Sequence, residues 1–155
     1  MSSIVLCNTG ADSLSFITLD TLEVKKILFA LSETPVGPHG IRKYKDEILT
    51  ANNYSDSISI FTCDPLIESR NIKIGPKPND LLRVEDKIYT ICGESNSIVE
   101  YDLSQNRVSW EIETGSWPHS IDMDFNNKLL FVSNLESDSI TVISMDNYDT
   151  VENIQ

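Results

Sequence analysis

The chain has no segment with a sustained helical period, and no run approaching the roughly 18 consecutive apolar residues that a membrane-spanning helix requires. It is also poor in positive charge. Lys and Arg together number 12 against 24 acidic residues, for a net charge of −12 across 155 residues. That balance repels phosphate backbones and anionic lipid, so nucleic-acid and membrane-surface binding are not expected. Cysteine is scarce: Cys7, Cys63 and Cys92 are widely spaced, odd in number and without a C-x-x-C pair. No disulfide framework or thiolate metal site follows from them. Cys7 and Cys92 fall in apolar strand patterns and read as core residues, and Cys63 at a strand end is the most reachable. No nucleophile elbow, phosphate loop or HExxH motif occurs. The opening MSSIVLCNTG has neither a basic n-region nor an apolar run of signal-peptide length. A cytoplasmic location is expected, with the cell or spore surface as the alternative.

What the chain does contain is repetition. The stretch NLESDSITVIS from Asn134 has counterparts in NTGADSLSFIT from Asn8, NNYSDSISIFT from Asn52 and CGESNSIVEYD from Cys92. One position holds Asp12, Asp56, Asn96 and Asp138, at intervals of 44, 40 and 42. A second marker, Pro38-His39, Pro78-Asn79 and Pro118-His119, recurs every 40 residues. Two markers sharing one period indicate real repeats.

Inside each unit the period is two, the period of a strand with one face on a core. Short apolar strands are predicted over 4–6, 47–50, 87–90 and 129–132. Alternating strands follow over 13–16, 56–61 and 139–142, then third strands over 23–30, 66–74 and 107–112. Fourth strands are predicted after the prolines, over 40–44, 80–84 and 120–124. Small, Asn and Gly residues occupy the turns. The prolines are expected in crossings between units, because proline cannot donate a ladder bond. Four antiparallel strands per unit of about 40 residues, repeated, specify an all-β β-propeller of four-stranded blades. The units are approximately 1–38, 39–78, 79–118 and 119–155.

A strand ending in Asn, an Asp-Ser four residues on, an alternating strand and a Gly-Pro-His crossing together resemble the YVTN-type β-propeller repeat. Phe131-Val132-Ser133-Asn134 stands at the name tetrad in the last unit and Leu49-Thr50-Ala51-Asn52 in the second. The third unit departs, with Cys92 for Asn and Asn96 for Asp. The resemblance spans the whole chain. It implies a propeller of a family that includes scaffolds, surface-layer proteins, lactonase-like enzymes and cofactor-binding relatives.

Taking a to d from the propeller axis outward, the strands read b-c-d, then a-b-c-d three times, about 3.75 blades. One outer strand is expected over 148–154. Such an arc exposes two apolar blade faces. It is expected to belong to a seven- or eight-bladed ring, to pair with a second copy, or to close as a four-bladed ring. Self-association or a protein partner is the expectation throughout.

His39, Asn79 and His119 share one position near the channel mouth, and imidazole there suits ligand binding or acid–base work. An enzyme of this fold would draw on His39, His119, Asp80 and Asp122. Arg42 and Asp122 stand at equivalent register and read as a possible charge pair. Trp117, beside Pro118, reads as an aromatic anchor for a partner. The repeated Asp and Asn side chains are assigned to accepting backbone N–H bonds in the b–c turn rather than to calcium. No metal set and no cofactor are indicated. The leading expectation is a non-enzymatic interaction or assembly module acting through its rim and crossing loops. The alternative is a propeller-type hydrolase or lyase acting on a small molecule at the channel mouth.

Overall fold

The computed structural model describes residues 2–32 and 34–155. Apolar–polar alternation, broken every few residues by turn formers, produces four antiparallel sheets whose strands follow one another by simple hairpins. The first sheet has three strands: β1 (Ser3–Asn8), β2 (Ser13–Thr18) and β3 (Val24–Leu28). The second runs β4 (Pro38–Tyr44), β5 (Glu47–Asn52), β6 (Ser57–Cys63) and β7 (Leu66–Lys73). The third runs β8 (Pro78–Val84), β9 (Lys87–Cys92), β10 (Ser97–Asp102) and β11 (Arg107–Glu113). The fourth runs β12 (Pro118–Asp124), β13 (Leu129–Asn134), β14 (Ser139–Ser144) and β15 (Thr150–Ile154). A single 3-10 turn at Thr9–Ala11 is the only helical segment among the described residues.

Each sheet is a blade, and the inner strands β4, β8 and β12 touch one another in order. Three apolar cores lie at the blade junctions. Leu14 and Ile27 of the first blade meet Ile48 and Phe61 of the second. Leu49, Ile58 and Ile60 meet Leu81, Ile88 and Tyr101. Tyr89, Ile91 and Ile98 meet Ile121, Leu130, Val132 and Ile143. Every blade therefore buries both faces only if it has a neighbour on each side. Burial of these side chains, at about 25 cal/mol per Å² of apolar surface, is what holds blade to blade.

The repeated phrase now has a mechanical meaning. The Asn52 amide donates to Ser57 Oγ (3.1 Å) and Ser59 Oγ (2.8 Å), tying strand b to strand c. Asn8 does the same to Ser13 and Ser15, and Asn134 to Ser139 and Thr141. The Asp position takes a left-handed backbone, with φ of 44° at Asp12, 49° at Asp56, 53° at Asn96 and 46° at Asp138. This turns the hairpin and throws the side chain outward. The acceptor role is as expected, but the donors are not in the b–c turn. Asp12 Oδ1 accepts from Val36 N (2.9 Å) and Gly37 N (2.8 Å), Asp56 Oδ1 from Lys77 N (3.0 Å), and Asn96 Oδ1 from Trp117 N (2.8 Å). The repeated carboxylate or amide thus pins the crossing that leads to the next blade.

The prolines also differ from expectation. Pro38, Pro78 and Pro118 are the first residues of their strands, paired with Asn52, Cys92 and Asn134. Strand starts tolerate a missing N–H, and a bulge follows at once in each case.

One ion cluster sets an acid dependence. Lys87 Nζ lies 2.6 Å from Asp102 Oδ2 and 3.0 Å from Glu100 Oε1. The Lys87 bond, with those from Ser104 and the Gln105 N–H, holds the Asp102 carboxyl well below its ordinary value of 3.8. A depressed folded value means that the stability Asp102 supplies is full above the unfolded value. It is lost as the pH falls below about 4. Asp102→Asn is expected to lower Tm at neutral pH and to flatten its decline in acid, as followed by circular dichroism. An unchanged acid slope would rule the assignment out.

Candidate functional site

The bulge at the start of each inner strand aims one residue off the ladder. Pairing passes from Pro38 to Gly40 and from Pro118 to Ser120, so His39 and His119 are the residues skipped. Both histidines are exposed, and their rings meet edge to face with centroids 5.4 Å apart. They come from the second and fourth blades, so the sequence positions do converge.

Asn79, the equivalent residue between them, points inward instead. It is buried, accepts from Asn53 Nδ2 at its Oδ1 (2.7 Å) and donates its own amide to the Pro118 carbonyl (2.8 Å). Its carbonyl lies 2.9 Å from His39 Nδ1. A carbonyl only accepts, so Nδ1 donates a proton in this bond and the ring is fixed with Nε2 on its far side. Asn79 is thus the bracket that orients His39. Nothing in the sequence marks Asn53, which completes the bracket; it is simply the residue after the repeated Asn52.

Asp80 is the second tie among the inner strands. Its Oδ2 accepts from Arg42 (2.6 Å), from Ser120 Oγ (3.3 Å) and from the Ile121 N–H (3.4 Å). Its Oδ1 takes the Leu81 N–H (2.9 Å). Burial pushes the Asp80 carboxyl up, while Arg42 and the hydrogen bonds pull against that rise. With its oxygens engaged across three blades, Asp80 is a structural group. The expected Arg42–Asp122 pair does not form, because Arg42 turns to buried Asp80. Asp122 is exposed and its Oδ1 accepts the Met123 N–H (2.8 Å). Arg42, Ser120, Asp122 and Phe131 line a shallow cleft of about 250 Å³ beside the inner strands.

Trp117 is half-buried with φ of 53°, its N–H held by Asn96 and its ring lying over Gly93. Tyr54 is the more open aromatic, 50% exposed. The cysteines offer no primed nucleophile: burial pushes Cys7 and Cys92 up to about 12, and raises Cys63 against the pull of Lys43. Among the described residues, no group of three or more His, Cys, Asp or Glu side chains could hold a metal ion. Among the described residues no helix is long and apolar enough to cross a membrane.

A family profile described as YNCE-like beta-propeller matches residues 1–152. The chain belongs to that family. Among solved structures, this YNCE-like propeller is similar to Kuenenia stuttgartiensis hydrazine synthase, at 21% identity and a TM-score of 0.84, over 99% of this chain and 46% of that one. It is also similar to Staphylococcus aureus virginiamycin B lyase, solved with quinupristin as a catalytically inactive histidine-to-alanine variant. That match has 16% identity and a TM-score of 0.76, over 94% of this chain and 50% of the other. A streptogramin B lyase structure matches at 16% identity and a TM-score of 0.73, over 93% and 48%. At these identities the likeness is one of fold. The chain spans about half the length of each. No curated protein matches it.

Proposed function

We propose that this propeller chain is a non-enzymatic assembly module of the YVTN type, which completes a ring by association. The observation that carries this reading is on the bare side of the first blade. Ile4 occupies the position of Ile48, Ile88 and Leu130, which are at most 7% exposed, yet Ile4 itself is 43% exposed. Leu6, Val24 and Leu28 share that face and are 48%, 64% and 64% exposed. On the outward side of the fourth blade Ile140 and Ile154 are likewise open.

The two faces are complementary. Lys26 stands on the first-blade face, opposite Ser15, while Asp122 and Glu152 stand on the fourth-blade face. A fourth blade of one copy laid on the first blade of another buries apolar surface and pairs these charges. A twofold arrangement repeats the contact and closes it. Light scattering tests this directly. The chain is expected to weigh twice its own mass at tens of micromolar, and Leu6→Asp to return it to a folded monomer. A monomeric wild type with no protein partner would overturn the reading.

A second reading, a lyase or hydrolase acting on a small molecule at the channel mouth, draws on the contact between the exposed rings of His39 and His119. It predicts ring opening of a cyclic ester such as quinupristin, lost in His39→Ala/His119→Ala with the mass unchanged. No turnover by the wild type excludes it for that substrate.

A further inference from the structure

The first blade lacks the inner strand that the other three possess, and the vacancy has a definite shape. Among the described residues β1 pairs with β2 alone, so one edge of β1 carries backbone N–H and C=O groups without a ladder partner there. Beside that edge, between the first and second blades, lies a cleft of about 630 Å³ walled by Val5, Phe16, Ile41, Ile48, Cys63 and Leu66. The repeat shows what belongs there. Asn8 corresponds to Asn52, Cys92 and Asn134, so Val5 corresponds to Tyr89, and Ile41 and Ile48 correspond to Ile121 and Leu130. At the junction of the third and fourth blades, Tyr89, Ile121 and Leu130 are packed by Leu82 and Val84 of the inner strand β8. Those two side chains stand opposite Tyr89 and Lys87, whose first-blade equivalents are Val5 and Ser3, both lining the cleft. At the second and third blades Tyr44 of β4 packs into the corresponding core.

We infer that the β1 edge and its cleft form a strand-acceptor site for an extended polypeptide segment supplied from outside residues 1–155. That segment runs antiparallel to β1, with apolar side chains at two alternate positions facing Val5 and Ser3. Main-chain bonds to the edge supply affinity, and the cleft supplies selection for the alternate apolar pair. The inference rests on the assembly reading, since it names the chemistry of what completes the first blade.

The probe is a synthetic peptide copying residues 76–86, which carries Leu82 and Val84, added to the full chain. Two signals are followed: alkylation of Cys63 by iodoacetamide, read by mass spectrometry, and amide exchange along β1. The peptide is expected to slow both at least tenfold. The same peptide with Leu82→Asp and Val84→Asp is expected to slow neither. Equal effects of the two peptides, no effect at millimolar concentration, or protection confined to β15 would each overturn the inference. Light scattering on the same samples separates the two readings. A dimer broken by Leu6→Asp, with Cys63 indifferent to the peptide, removes the strand site and keeps the assembly reading. A monomer whose Cys63 the peptide protects keeps the strand site and removes self-association.

Discussion

Phe61→Ala is expected to lower the unfolding free energy by about 3–5 kcal/mol, the range for an aromatic removed from a core that cannot collapse around the hole. Phe61 is fully buried and meets Phe29 edge to face at 5.2 Å. It sits in β6 but faces the first blade, packing with Leu14 and Ile27. Among the described residues the first blade has three strands and one neighbouring blade, and its buried Leu14 and Ile27 both lie at this junction. Urea denaturation should show the loss as a lower midpoint. Amide exchange should show β1, β2 and β3 released before the other sheets. A change below about 1 kcal/mol, or exchange rising evenly over all four blades, would show that the junction is not where the first blade is held.

Gly40→Val is expected to cost about 3 kcal/mol and to disturb the histidine pair. A Cβ on Gly40 would lie 2.6 Å from the Asn79 carbonyl oxygen, 2.8 Å from Asp80 Cα and 2.9 Å from Asp80 Oδ1. Two of these atoms are backbone, so β8 must move as a whole. That shift breaks the bond from His39 Nδ1 to Asn79 and loosens the Arg42–Asp80 contact. Gly10→Val is the control, since a Cβ there meets nothing within 4 Å. Equal denaturation midpoints for the two variants would refute the close approach of the inner strands.

Much of the architecture was legible because each blade obeys local rules. Period-two alternation places Leu14 and Ile58 inward without knowledge of any other blade, whereas Ile140, the matching residue of the fourth blade, is 39% exposed on the outward face. The Asn and Ser of the repeated phrase need only their own hairpin to find each other. The Asp of that phrase was legible as an acceptor but not in its target. Its donors lie 21 to 25 residues away in the crossing, a distance that only blade-to-blade packing closes.

The candidate site divides in the same way. That His39 and His119 are equivalent follows from the 40-residue interval. That they touch, while Asn79 between them turns inward to hold the Pro118 carbonyl, depends on how three inner strands approach one another. Arg42 illustrates the limit. Register alone offered Asp122, but a buried carboxylate across the junction outcompetes an exposed one on the rim, because an unpaired charge is costlier where water cannot reach it. By itself the sequence determined the repeat, the strand order and the missing inner strand, all properties of hairpins a few residues long. Only the tertiary structure decided which polar groups are bracing and which remain free, and that the vacancy is a cleft with an open strand edge. Those depend on contacts between blades, which local periodicity does not encode.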